Sequence, residues 1–278
     1  MSFLKPQVYA GMVREKFDSK VKVLQLAKNV GEIDGFRSVG ETILFPQWSL
    51  ATNKPVELTK GEVITTEELK QTSSTATIKQ VAHGFLVYDI ENKTALGNQI
   101  EEGASQQAQL FARKLDEDLI TEAKTSTLVS PTANAKAITE TELDTANMLF
   151  GDDLDVDTYA GIVVHSYLVP SFYSMESFTS AINTTSTANN GIVRNGLLGY
   201  FRGIPVFIAN HGTYDDNAGE CVSFIIKKNA LGYMMKKDLN IELKREPEFK
   251  RTGIFTDMIY ATKLLSDDGV VVIRKTTA

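Results

Sequence analysis

Four aspartates crowd into six positions: Asp152, Asp153, Asp155 and Asp157. Carboxylates at alternate positions are the chemistry of an oxygen-ligand cation site. Counting a calcium loop from Asp153, however, puts Thr158 where the turn glycine belongs and Val164 where the closing glutamate belongs. The cluster therefore reads as a solvated acidic turn after a helix. A second candidate is Gly196-Leu-Leu-Gly199-Tyr-Phe-Arg-Gly203. It lacks the Gly-Lys-Ser/Thr end of a phosphate loop and the spacing of a dinucleotide loop. Its glycines instead permit tight turns leading into the strand around Pro205. His83, His165 and His211 form no local metal or catalytic set, Ser166 and Ser171 lack a nucleophile elbow, and Cys221 sits in the apolar run CVSFII. Neither a catalytic residue, a metal ligand nor a cofactor site is assigned. The expected role is not enzymatic.

Composition narrows the classes further. The chain has 278 residues, 42% apolar and 23% charged, with a net charge of −6. That length carries a real core. The acidic balance argues against tight binding along a nucleic-acid backbone, which needs clustered Lys and Arg. A lone cysteine excludes an intrachain disulfide and suits a reducing compartment. The N-terminal residues show no secretion signal, and no apolar run reaches membrane-span length, so synthesis in the cytoplasm and no membrane partner are expected.

The elements that would position any site point away from a pocket. Residues 50–76 are polar and Thr-rich and carry Lys54, Glu57, Lys60, Glu62, Glu67, Glu68 and Lys70. Strand-like runs, ETILFPQWSL and TATIKQVAHGFLVY, flank them. This pattern predicts a hairpin with a buried root and a wet tip projecting past its own core, where it needs a neighbour to lie on. Pro46 marks an edge or a bulge. Before the hairpin, Val13, Phe17, Val21 and Leu24 give the leader weak helical character, and GEIDGFR reads as a turn. After it, Ile100, Ala104, Ala108, Phe111, Leu115, Leu119 and Ala123 predict a helix over 98–124 with one apolar stripe. Thr139 to Glu142 reads as a capping box ahead of Leu143, Ala146 and Leu149. Strands are expected at 160–165, 204–209 and 222–226, with a polar loop at 180–195 and alternation through 234–243. Two last strands, 257–263 and 269–275, are expected to pair across the turn Asp267-Asp268-Gly269.

This order of parts resembles the major capsid protein of tailed bacteriophages, the Hong Kong ninety-seven-type coat fold also used by encapsulin compartments. The run NGLLGYFRGIPV at 195–206, with Gly196, Gly199, Gly203 and Pro205, is similar to a turn motif of those coats, as is KNALG at 228–232. The resemblance implies an α+β fold. It assigns 1–36 to an N-terminal arm, 37–90 to an extended hairpin loop and its root, and 91–137 to a peripheral domain with the spine helix. Residues 138–245 become an inserted axial domain, and 246–278 the strands completing the peripheral domain. It implies self-assembly into hexamers and pentamers of an icosahedral or prolate shell around double-stranded DNA, with the charged residues of the loop at intersubunit contacts. Implied partners are other copies of the chain, a separate scaffolding protein, a portal protein, decoration proteins, and packaged DNA by non-specific proximity. The expected location is the virion, after synthesis in the bacterial cytoplasm. An encapsulin-like shell, a metal-dependent enzyme built on the aspartate cluster, and an adhesion module contacting through the Thr-rich arm are the competing readings.

Overall fold

The computed structural model describes residues 6–18, 20–32, 42–48, 55–58, 60–61, 63–64, 66–69, 71–94, 99–152, 154–180 and 196–276. The expected turn at 31–37, beyond Glu32, and the polar loop from 181 onward lie outside them. In chain order the first elements are α1 (Pro6–Asp18), β1 (Lys28–Glu32), β2 (Thr42–Trp48), β3 (Gln71–Thr77), β4 (Lys79–Tyr88), α2 (Asp89–Thr94) and α3 (Gln99–Ala123). There follow β5 (Leu128–Pro131), α4 (Glu140–Met148), β6 (Tyr159–Val164), α5 (Val169–Tyr173), β7 (Phe178–Ser180), β8 (Leu197–Phe201) and β9 (Ile204–Ile208). The remaining strands are β10 (Tyr214–Asp215), β11 (Glu220–Cys221), β12 (Ser223–Lys227), β13 (Leu231–Glu246), β14 (Arg251–Leu264) and β15 (Val270–Arg274).

Two sheets share one spine. The first has the order β1-β13-β14-β4, and the second β5-β15-β12-β6-β9-β8-β7. Helix α3 is about 40 Å long at ~1.5 Å per residue. Over most of its length Ala104, Ala108, Phe111 and Leu115 pack with Ile254, Met258 and Tyr260 of the first sheet. At its end Leu119, Ile120 and Ala123 pack with Phe224, Ile226, Val270 and Val272 of the second. The opposite face of the second sheet, including Ile162, Ile225, Val271 and Ile273, is covered by Leu143 and Ala146 of α4 and Phe172 of α5. Both faces being covered explains why CVSFII and VVVI are continuous apolar runs rather than alternating ones.

The capping box is present: the Thr139 side chain accepts from the Glu142 N–H, and Glu142 accepts from the Thr139 N–H at 2.7 Å. Leu143 and Ala146 are buried as the spacing requires, whereas Leu149 is exposed beyond the helix end. In β4 burial alternates, so Phe85 and Val87 face inward but Leu86 faces out, and the buried root is covered on one face only there.

The leader's helix, α1, buries Tyr9, Val13 and Phe17 against α3. Two further expectations are corrected. Strand β13 belongs with β14 and β4, so a boundary at 245/246 falls inside a hairpin turned at Pro247–Phe249. The alternation through 234–243 required a long antiparallel partner, and 251–264 supplies it. Finally, β14 and β15 do not pair. The Asp267–Gly269 turn crosses from the first sheet to the second, where β15 lies between β5 and β12. The crossing is tight: Leu265 N–H donates to the Ala230 carbonyl at 2.7 Å, and a Cβ on Gly269 would meet the Ala230 Cβ at 2.5 Å. In the second sheet both faces of β15 are covered, Val271 and Ile273 in one core and Val270 and Val272 in the other, which suits a strand apolar on both sides.

Buried polar groups lace the spine to its surroundings. Gln107 Oε1 accepts from Tyr9 at 2.9 Å and from Thr256 at 3.0 Å, joining α1, α3 and β14. Burial pushes the Tyr9 hydroxyl up to about 12. Asp116 accepts three backbone N–H groups, from Lys22 and Val23 at 3.0 Å and Leu24 at 3.1 Å, and ties down the turn after α1. Burial nevertheless raises its carboxyl to about 6.

Candidate assembly surface

The hairpin begins where β2 and β3 pair with each other alone, in register from Thr42↔Thr77 to Trp48↔Gln71. Pro46 sits on this ribbon's outer strand, where a missing N–H costs least. The root is fixed twice. Phe45 and Ala76 are buried with Met234 and Ala261 in a small core of their own. Two residues beyond Thr77, Lys79 donates to Asp118 of α3 at 3.1 Å. Asp118 also accepts from Tyr260 and pairs with Lys114 at 3.3 Å. Burial alone would raise the Asp118 carboxyl; the Tyr260 and Lys79 contacts outweigh it and hold it below the usual carboxylate range. Burial, together with the Asp118 contact, pushes the Tyr260 hydroxyl up.

Between the ribbon strands the described residues carry neither helix nor strand and are all exposed. Glu57, Lys60, Glu67 and Glu68 are exposed there; Lys54, Glu62 and Lys70 lie outside the described residues. The sequence pattern pointed to charges and missed the more telling residues. Val56, Leu58, Val63, Ile64 and Leu69 are 54% to 88% exposed. Large apolar side chains left open on an anchored arm mark a surface for a partner. The available signal was apolar residues recurring in a polar segment without either a helical or a strand period.

The glycine motif proves to be a turn device. Strands β8 and β9 pair through a two-residue loop, Arg202-Gly203, with φ of 46° and 86°. Positive φ at both positions is the tight hairpin geometry that matches strand twist. Gly199 follows a register shift, and Pro205 lies opposite Tyr200. Arg202 at the tip is held by Asp144 at 2.7 Å and Glu140 at 3.3 Å, both on α4. At Gly196 φ is 77°, its carbonyl accepts the Ile208 N–H at 2.8 Å, and a Cβ would come within 3.0 Å of the Ile208 carbonyl oxygen. Gly196→Ala is therefore expected to cost about 2 kcal/mol. Gly203→Ala, which meets only Val156 at 3.3 Å, should cost about 1 kcal/mol. Chemical denaturation of the two variants checks the order.

The other candidates are placed as follows. Asp155 precedes a short turn in which Thr158 donates to its carbonyl, Asp152 is exposed, and Asp153 lies outside the described residues. Among the described residues no group of three His, Cys, Asp or Glu could hold a metal ion. His165 accepts the Tyr167 N–H at 3.1 Å and lies tilted against that ring, His83 lies on β4, and His211 follows β9. Cys221 is buried, which raises its thiol. Among the described residues no helix is long and apolar enough to cross a membrane.

Two sheets on a long spine with an anchored hairpin make up a fold shared with solved tailed-phage capsid chains, the Hong Kong ninety-seven-type coat fold. The chain is similar to the major capsid protein of Staphylococcus phage phiMR11, 24% identical over 270 residues, covering 97% of this chain and 93% of the relative. It matches a chain of the capsid of Ralstonia phage GP4 with a TM-score of 0.63 and 14% identity over 92% of this chain and 89% of that one. The encapsulin complex from Synechococcus elongatus matches with a TM-score of 0.56 and 11% identity, over 75% of this chain and 78% of that one. No protein-family profile matches the chain.

Proposed function

We propose that this chain is a structural major capsid protein, assembling through its extended hairpin into the shell of a tailed phage or prophage. The observation that carries this reading is the exposed apolar set Val56, Leu58, Val63, Ile64 and Leu69 on an arm rooted by Phe45 and Lys79. Those five apolar side chains are exposed on their own protomer, and a neighbouring copy is the surface that would cover them. We read the first sheet with α3 as the peripheral domain, and the second sheet with α4 and α5 as the axial domain. Glu57, Lys60, Glu67 and Glu68 then flank the apolar contacts, where charge sets register more than affinity. A closed lattice multiplies weak contacts, so each arm needs only modest binding. Hexamers and pentamers, a scaffolding protein, a portal, decoration proteins and enclosed DNA belong to this reading, as does synthesis in the host cytoplasm. The longer overlap with the phage capsid chain than with the encapsulin supports a genome shell over a cargo compartment.

Negative-stain electron microscopy of the purified protein, alone and with its scaffold, tests the proposal. Closed shells, tubes or capsomer rings are expected. A strictly monomeric protein under all assembly conditions would sink it.

A further inference from the structure

On a chain with a net charge of −6, one cavity gathers cations. It has a volume of about 290 Å³ and lies between the turn after α1, the middle of α3 and the segment leaving β9. Lys20 and Lys22 line it from the turn, Arg113 from α3, and Asn210 and His211 from beyond β9. Among the described residues none of the three long cations is engaged in an ion pair. Asp116 also lines the cavity, but its oxygens are occupied by the backbone N–H groups of Lys22, Val23 and Leu24.

The arrangement is built rather than incidental. The Lys22 stem crosses Gly196 so closely that a Cβ there would approach its Cδ to 2.9 Å. Burial lowers the Lys22 ammonium, the Asp116 charge opposes that, and Arg113 lowers it further. Three cationic side chains thus line the cavity with a single carboxylate, Asp116, and the excess positive charge is what a bound anion would offset.

We propose that this cavity binds a phosphate-type oxyanion through Lys20, Lys22 and Arg113. Three cationic groups from two separate segments suit a tetrahedral anion with several acceptor oxygens better than a carboxylate with two, and the guanidinium fork favours the same chemistry. The oxyanion comes either from free phosphate or from the phosphodiester of a nucleic acid. The site stands on the cavity alone, whether or not the chain forms shells.

The test uses the full chain at constant ionic strength. Inorganic phosphate is titrated by calorimetry, and a short labelled DNA duplex by fluorescence anisotropy. The variants are Lys20→Ala with Arg113→Ala, and Lys22→Met, which keeps the stem over Gly196. A control, Lys28→Ala with Lys228→Ala, removes the same charge from exposed positions elsewhere. Circular dichroism confirms that each variant is folded. Each lost cation is expected to weaken phosphate binding about tenfold, with the control unchanged. Duplex binding that falls in the same variants, and that phosphate displaces, identifies the phosphodiester as the source. Phosphate binding without duplex binding identifies free phosphate. Absence of saturable phosphate binding in the millimolar range, or equal loss in the control, overturns the site.

Discussion

Replacing Val56, Leu58, Val63, Ile64 and Leu69 together by serine is expected to leave the folded body intact and to abolish assembly. The body should hardly notice, because all five side chains are exposed and surface changes of this kind usually stay within about 0.5 kcal/mol. The root survives too, since Phe45, Ala76 and the Lys79–Asp118 contact are untouched. The intersubunit effect is large by comparison. Burying such a side chain is worth about 1.5–3 kcal/mol at full burial. Even about 1 kcal/mol each gives about 5 kcal/mol per arm, a few-thousandfold change in the association constant. Thermal melting and electron microscopy of the same preparation separate the two effects. Normal shells from the five-serine variant would show that the arm does not make the contact. A lowered melting temperature would show that the arm is packed on its own protomer.

The second large effect is expected inside the protomer. Asp118→Ala should destabilise the fold by about 2–4 kcal/mol. Most of this comes from the buried Tyr260 hydroxyl, which loses its acceptor at about 1–3 kcal/mol. The ammonium groups of Lys79 and Lys114 are more than a third exposed and can turn to water, so their share is at most about 1 kcal/mol. Adding Tyr260→Phe removes the orphaned hydroxyl and should recover part of the loss, a coupling measurable by a double-mutant cycle in urea. The pH dependence has a definite sign. The Asp118 carboxyl is held below its ordinary value, so its contribution is complete at neutral pH and fades as pH falls below about 4 through the folded value. The gap between wild type and Asp118→Ala should narrow in the same window. A variant within about 0.5 kcal/mol of wild type at pH 7 would remove Asp118 from the account.

What the sequence made legible was local. Helix α3 announced itself by apolar spacing, α4 by Thr139 and Glu142, and the arm by a polar stretch between two strand-like runs. Periodicity reports which face of an element is covered, and it does so one segment at a time. It does not report which distant segment does the covering. That is why β13 was grouped with the wrong sheet and β15 was paired with β14, although VVVI already carried the mark of a strand covered on both faces. Gln107 looked like one more polar residue on a helix, because its partners Tyr9 and Thr256 lie at opposite ends of the chain. The cations at 20, 22, 113 and the ring at 211 were invisible for the same reason: no run of sequence holds them together. The glycines of the β8–β9 hairpin were legible as turn residues, but the closeness of Gly196 to Lys22 belongs to the folded chain.

The placement of β15 has a bearing on synthesis. It occupies an interior position of the seven-stranded sheet, between β12 and β5, the latter separated from it by most of the middle of the chain. Until residues 270–274 have emerged from the ribosome, that sheet lacks its second strand and β5 has nothing to pair with. A chain interrupted before that point lacks Val271 and Ile273 from one core and Val270 and Val272 from the other, so it is expected not to complete either face of that sheet.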